Sequence, residues 1–137
     1  MMLIKHSVTN FQSFLDKVEV SWIQNNQVPE SDWVARDNDG AKLSKVMAVL
    51  GHNASGKTAL LKSMVFLHWF VCGSFLSLKP DEKIPLSPHF LAQDIPSEFE
   101  ALFIYNGQIL KYELKCNTDR VLYESLHRKK ERFGYVF

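Results

Sequence analysis

The pattern of hydrophobic and polar positions predicts strands at both ends of the chain and one helix between them. Residues 2–9 form a short mixed segment, and residues 17–23 alternate around Val18, Val20 and Trp22, as a strand with one face in water requires. Residues 45–50 form a continuous apolar run that ends at Gly51. Such a run predicts a central strand that is buried on both faces.

The segment that follows predicts a long helix. From about residue 57 to residue 75 the side chains are almost all apolar, with Lys62, Ser63 and His68 as the main polar interruptions. A helix that is apolar on all sides has to be enclosed by its own fold or by a partner. We therefore expect one long buried helix here.

The last third of the chain predicts an antiparallel meander after a proline-rich connection. Residues 77–97 hold four of the five prolines and indicate a long irregular connection. Asn106-Gly107 then separates two alternating segments, and this pair is a strong hairpin signal because both turn residues accept positive φ. The predicted strands of the meander are 98–105, 108–116, 121–126 and 132–137.

Composition indicates one globular domain that spans residues 1–137. The chain is 46% hydrophobic, and its 16 basic and 15 acidic side chains leave a net charge near +1. This balance gives no argument for a nucleic-acid or anionic-membrane partner, although a local patch is not excluded.

The cysteines and the N-terminus favour a cytoplasmic location. Cys72 and Cys116 are far apart and form no C-x-x-C pattern, which argues against a disulfide framework or a zinc site, and both are expected to be buried. Polar residues interrupt the N-terminus too early for a signal peptide. The uncharged stretch between Lys62 and Lys79 is shorter than the roughly twenty residues of a spanning helix, so we expect no membrane contact.

One loop carries specific chemistry. It matches the Walker A pattern G-x-x-x-x-G-K-[ST] at every fixed position and follows a predicted strand and precedes a predicted helix, as that loop requires. Its glycines allow backbone N–H groups to face a phosphate, its lysine supplies a cation, and its threonine hydroxyl is suited to Mg²⁺. The predicted nucleotide-binding residues are Gly51, His52, Asn53, Ala54, Ser55, Gly56, Lys57 and Thr58. Thr58 is the expected Mg²⁺ ligand, and His52 is expected to face solvent rather than to contact phosphate.

The loop and its flanks resemble a known family. The segment Asn10-Phe11-Gln12-Ser13-Phe14 resembles the turn after the opening strand, and residues 96–100 and 107–112 resemble the hairpin region, of ABC-type ATPases of the RecF, OLD-nuclease and SMC branch. More closely, the chain resembles stand-alone AAA-type ATP-binding proteins of phage-defence and abortive-infection loci. One departure is Gln12, where the family usually has Arg.

This resemblance implies an α/β fold: a P-loop NTPase-like lobe with a mixed sheet, one long helix after the loop and an appended antiparallel meander. It also implies ATP with Mg²⁺, held between two heads as a homodimer or with a partner ATPase lobe, and a nuclease or toxin effector. Hydrolysis in this superfamily implies an apolar strand that ends in Asp-Glu, but Asp81-Glu82 follows a proline, and no L-S-G-G-Q-like signature is present. We therefore expect the chain to be the N-terminal part of a larger ATPase.

Other constellations favour simpler interpretations. The basic run at 127–132 is expected to be a solvated hairpin end, and His68 with Cys72 is expected to pack in the core rather than bind metal. Trp22, Trp33 and Phe11 are open candidates for stacking on adenine. Two other functions stay open: another P-loop enzyme, such as a small-molecule kinase or a GTPase, and a non-enzymatic interaction module with a vestigial loop.

Overall fold

A computed structural model describes residues 1–37, 39–79, 81–129 and 132–137. The described elements, in chain order, are β1 (Met2–Thr9), β2 (Val18–Ser21), β3 (Val34–Arg36), β4 (Lys42–Ser44), α1 (Lys57–Ser77), β5 (Ser97–Tyr105), β6 (Gln108–Cys116), β7 (Val121–Lys129) and β8 (Phe133–Tyr135).

Six of the strands form one sheet in the order β2-β1-β5-β6-β7-β8. Each pairing between these neighbours is antiparallel. The predicted hairpin is confirmed: β5 and β6 pair along their whole length, and Asn106 and Gly107 have φ of 48° and 71°. β1 joins β5 on the other side, so the opening strand lies next to the meander and the sheet is continuous.

The hydrophobic core lies between this sheet and α1. Val8, Phe99 and Leu114 on the sheet face α1, and Phe66 of the helix lies 4.9 Å from Phe99 between ring centroids. Alternation along β5 and β6 places Phe99, Ala101, Tyr112 and Leu114 on this face. The irregular connection between α1 and β5 closes the side of the core with buried Ile84 and Leu86.

The opposite face of the sheet has a different character. At one end the β3–β4 hairpin covers it with a small apolar cluster of Ile4, Leu43 and Ile109. Much of the remaining face carries ion pairs between neighbouring strands, such as Lys115 with Glu98 at 2.7 Å. The helix and the phosphate loop thus belong to one side of the sheet only.

The prediction of a buried strand over residues 45–50 is wrong for this chain. The segment has no strand assignment, and Val46 and Leu50 are 57% and 90% exposed. A strand buried on both faces needs neighbouring strands and a covering layer. No described strand pairs with residues 46–50, so the apolar run leads into the loop as an unpaired segment in which Val46, Ala48 and Leu50 are exposed.

Helix α1 is present as predicted, but it is buried on one side only. Ala59, Leu60, Ser63, Phe66, Leu67 and Phe70 are buried. Large apolar side chains on the rest of its surface are exposed, namely Leu61, Val65, Val71, Phe75 and Leu76. By length and composition alone, the helix is also long and apolar enough to cross a membrane. An 18-residue stretch of it has a mean hydropathy of 1.6, and 28% of that stretch is buried.

Candidate functional site

The predicted phosphate loop lies between the exposed segment 46–50 and the start of α1. Residues 51–55 are exposed, and the chain turns through two left-handed conformations, Ala54 with φ of 63° and Gly56 with φ of 89°. Gly56 is well suited to this conformation because it has no β-carbon. The loop is therefore a tight, solvent-facing turn at the N-terminus of a helix.

Lys57 folds back over this turn. Its Nζ donates to the carbonyl oxygens of Gly51 at 2.7 Å and His52 at 2.5 Å, and it lies 3.5 Å from Ser55 Oγ. One ammonium group thereby brings together residues from both ends of the predicted motif. The arrangement places a positive charge in the middle of the loop.

The first turn of α1 completes an anion-binding geometry. Gly56 is the N-cap and provides no side-chain cap, and the first turn contains no acidic residue. The N–H groups of a first helical turn have no partner within the helix, and the helix dipole places partial positive charge there. Thr58 is exposed in the same turn, so its hydroxyl is available to a metal ion held by phosphate.

The first glycine of the motif also has a steric reason. A β-carbon at Gly51 would lie 2.7 Å from Ser55 Oγ. A side chain at this position would crowd the hydroxyl across the turn. The residue types fit a bound triphosphate: the Lys57 ammonium lies within the loop, Thr58 is exposed in the first turn of α1, and Gly56 stands where the chain is left-handed.

Two further contacts near the loop involve residues that the sequence did not identify as part of the site. The ring of Phe14, in the turn after β1, packs against Gly56. The sequence signal was the family-like turn at residues 10–14, but that resemblance predicted no contact with the loop.

The second contact is a buried polar link between β1 and α1. His6 Nε2 lies 2.8 Å from Ser63 Oγ, which donates to the carbonyl oxygen of Leu60 at 2.7 Å. Burial lowers the pKa of His6 to about 4, against an opposing hydrogen bond to the Glu100 backbone. His6 is therefore neutral at neutral pH and holds the first turns of α1 against the sheet.

The other histidine and cysteine candidates are placed differently from the prediction. His52 is exposed, as expected, but His68 and Cys72 are exposed too, so the expectation that they pack in the core is wrong. They lie at the edge of α1, where they line a surface groove together with Leu3, Ala101 and Phe103 of the sheet. Among the described residues, no cluster of three or more histidine, cysteine or acidic side chains could hold a metal ion. Cys116 is buried as expected, and burial raises the pKa of its thiol to about 12.

The aromatic and charged candidate residues lie in different environments. Phe11 is buried in the core at 3% exposure and is not free to stack on a base, whereas Trp33 is 67% exposed. In the basic run, His127 lies 3.2 Å from Glu113 and Lys129 pairs with Asp39 at 2.7 Å, while Lys130 lies outside the described residues. Asp81 and Glu82 are exposed in the irregular segment after α1 and do not end a buried strand.

Comparison with known proteins agrees with the loop chemistry at a general level. A search of curated proteins gave no match. Residues 46–137, about two thirds of the chain, match the family described as "AAA domain, putative AbiEii toxin, Type IV TA system". The matched range includes the phosphate loop, α1 and the meander, and leaves out β1 and the turn that follows it. An AAA domain implies nucleotide binding and an ATPase-like function, and this chain belongs to that AAA-domain family.

Proposed function

We propose that the chain binds Mg·ATP on the Walker A loop 51–58 and serves as the N-terminal part of an ABC-like ATPase. In this proposal, ATP-driven dimerisation of two such lobes controls a nuclease, a toxin or a DNA-handling partner. The observation that carries the proposal is the Lys57 ammonium inside a loop that leads into an uncapped helix N-terminus.

The loop residues divide the work of binding. The first-turn N–H groups of α1 would donate to the phosphates of a bound nucleotide, and Lys57, which now donates to the carbonyl oxygens of Gly51 and His52, would supply a positive charge to them. Mg²⁺, when bound with the nucleotide, neutralises phosphate charge, and the Thr58 hydroxyl is suited to hold it. Adenine is inferred from the family rather than from a base-reading residue.

The proposal assigns only half of an ATPase site to this chain. Hydrolysis needs a group that positions water, and the Asp81-Glu82 pair is exposed in an irregular segment. The unpaired apolar segment 46–50 and the uncovered side of α1 support an arrangement in which further structure packs beside the loop. That structure would supply the missing catalytic groups.

The uncovered side of α1 also favours a second candidate function. Exposed apolar side chains such as Phe75, at 97% exposure, suit partner recruitment without nucleotide turnover. In that case the chain is an interaction module and the loop is vestigial. A Lys57→Ala variant that kept full partner binding and full activity would favour this reading.

The test is a calorimetric titration of the chain with ATP and with GTP, each with Mg²⁺. Lys57→Ala is compared with Lys62→Ala, which removes the same charge from the exposed surface of α1, outside the loop. We expect Lys57→Ala to weaken ATP binding by about ten- to a hundredfold, because a charge-assisted phosphate contact contributes roughly 1.5–3 kcal/mol. Lys62→Ala should leave affinity nearly unchanged.

Each outcome has a distinct meaning. Equal losses of ATP affinity in the two variants would mean that Lys57 acts only as a general surface charge. That result would contradict a specific contact between Lys57 and phosphate. Tighter binding of GTP than of ATP would overturn the choice of adenine. A folded chain that binds neither nucleotide would contradict binding by this chain alone.

A further inference from the structure

We propose that Phe14 is a positioning residue for the phosphate loop, which it holds through direct contact with Gly56. The inference rests on the nucleotide binding proposed above and extends it to a residue outside the motif. Phe14 lies more than forty positions before Gly56 in the chain.

The contact is close and lies at the N-cap of α1. A β-carbon placed on Gly56 would lie 2.6 Å from Cε1 and 3.0 Å from Cζ of Phe14, and 3.4 Å from Ser13 Oγ. Carbon atoms do not approach to these distances. The aromatic ring therefore occupies the space that a side chain at position 56 would need, and it covers the backbone where the loop enters the helix.

The turn that carries Phe14 is rigidly closed. Phe11 and Phe14 exchange two backbone hydrogen bonds, each 2.9 Å long, and Gln12 between them has φ of 50°. Phe11 is buried against Phe66 and Phe99, so one side of the turn belongs to the core. The turn thereby sets the backbone position of Phe14, and its partly buried ring packs against the core.

A second set of hydrogen bonds fixes the base of this turn. Asn10, which is 1% exposed, donates from Nδ2 to the carbonyl oxygens of Ala92 at 2.9 Å and Ile95 at 2.5 Å, and accepts from the His89 N–H at 2.9 Å. Ser97 Oγ donates to the Asn10 carbonyl oxygen. Asn10 has φ of 54°, and these bonds hold it in that conformation.

The loop itself has few constraints besides this contact. Residues 51–55 are exposed, and Lys57 is its main internal tie. If the Lys57 ammonium donates to nucleotide phosphates in place of the loop carbonyl oxygens, the Phe14 ring still contacts Gly56, which is in the left-handed conformation. Loss of the ring lets the loop sample other conformations, and an ordered site then costs more entropy to form.

The experiment compares Phe14→Ala and Phe14→Leu with Leu15→Ala, a matched truncation of the neighbouring side chain, which is 41% exposed. Two readouts are used: Mg·ATP affinity by calorimetry, and hydrogen exchange of the backbone amides at 52–57 without nucleotide. We expect Phe14→Ala to weaken affinity on the order of tenfold and to speed exchange in the loop, with thermal unfolding still cooperative. Phe14→Leu should keep most of the wild-type affinity and most of the slow exchange in the loop. Leu15→Ala should change neither the affinity nor the exchange rate.

A steric pair tests the contact itself. Gly56→Ala should weaken binding, because the new methyl group meets the Phe14 ring and because alanine is strained at a φ of 89°. The double variant Gly56→Ala/Phe14→Ala should lose less affinity than the two single variants lose in sum, because the clash disappears with the ring. Additive losses, or loop exchange unchanged in Phe14→Ala, would overturn the positioning role. If the wild-type chain binds no nucleotide, the proposed function fails, while the exchange readout still decides the role of Phe14.

Discussion

At the residue scale, the two ends of the phosphate loop are held by different chemistry. Lys57 ties the loop inward through charged hydrogen bonds to two carbonyl oxygens, whereas Gly56 is held from outside by an aromatic ring. The first type of contact can be exchanged for phosphate oxygens, and the second cannot. The loop can therefore take up an anion without losing its support from the turn at residues 10–14.

A sequence motif reveals only the first of these two kinds of contact. The fixed spacing from Gly51 to Thr58 predicts that the lysine and the glycines bind nucleotide together, and the structure brings Lys57 into contact with Gly51. Phe14 could not be found in this way, because its contact depends on how the turn after β1 meets the helix. Periodicity and motif spacing describe residues that are close in sequence, whereas Phe14 and Gly56 are far apart in sequence and meet only in the fold.

A pH-dependent stability follows from His6. Its pKa is lowered from 6.5 to about 4, mainly by burial. The unfolded chain thus binds a proton more readily than the folded chain, so stability is complete above pH 6.5 and is lost as the pH falls through about 4. We expect this residue to reduce the free energy of unfolding by at most about 1.4 kcal/mol per pH unit across that window.

Urea denaturation at several pH values measures the effect. His6→Gln, which can still hydrogen bond to Ser63, should flatten the pH dependence between pH 6.5 and 4. His68→Gln removes an exposed imidazole from α1 and should retain the wild-type slope. Identical slopes in the wild-type and His6→Gln chains would mean that His6 is not buried as described.

At the element scale, alternation predicted more than apolar runs did. The alternating segments gave β2, β5 and β6 and the β5–β6 hairpin correctly, because alternation is typical of a strand with one face on a core. The continuous apolar run at 45–50 and the helical segment that is apolar on all sides both predicted burial on every side. The described residues bury only one side of α1 and leave segment 46–50 unpaired. Both errors therefore concern surfaces that this chain does not cover.

This uncovered surface leads to a prediction about α1. Phe75 and Leu76, 97% and 88% exposed, should promote self-association, so Phe75→Lys/Leu76→Lys should shift the chain toward its 15.8 kDa monomer. Thermal stability should hardly change, since neither side chain is in the core. Sedimentation velocity measures the first effect and thermal unfolding the second.

Two comparisons separate the meanings of that result. Leu67→Ser, at a position only 6% exposed, should destabilise the chain by about 3 kcal/mol and so marks the covered side of α1. Co-sedimentation with phosphatidylcholine vesicles tests the alternative that the helix enters a membrane. A monomeric wild-type chain that binds vesicles would contradict a protein partner for this side of α1.

At the scale of the whole molecule, one antiparallel sheet carries two unequal faces. One face holds the core, α1 and the phosphate loop, and the other holds interstrand ion pairs and the β3–β4 hairpin. The six-stranded sheet does not include segment 46–50, so its pairing does not depend on the unpaired segment that leads into the loop. The sheet with its core and the segment that leads into the loop are therefore structurally separate parts of the chain.

The last prediction concerns catalysis and follows from that separation. The chain should release phosphate from Mg·ATP no faster than its Lys57→Ala variant does, because no Asp-Glu pair at the end of a buried strand lies among the described residues. A malachite-green assay at protein concentrations above the ATP dissociation constant keeps the site filled, so weak binding cannot hide turnover. Adding a longer polypeptide that supplies the second lobe should produce hydrolysis that depends on Lys57. Turnover by the wild-type chain alone, lost in Lys57→Ala and kept in Lys62→Ala, would mean that an acidic residue of this lobe positions the water. Substitution of Glu98, Glu100 and Glu113 would not affect it, since these carboxylates lie on the sheet face opposite the loop, where they pair with lysines and His127.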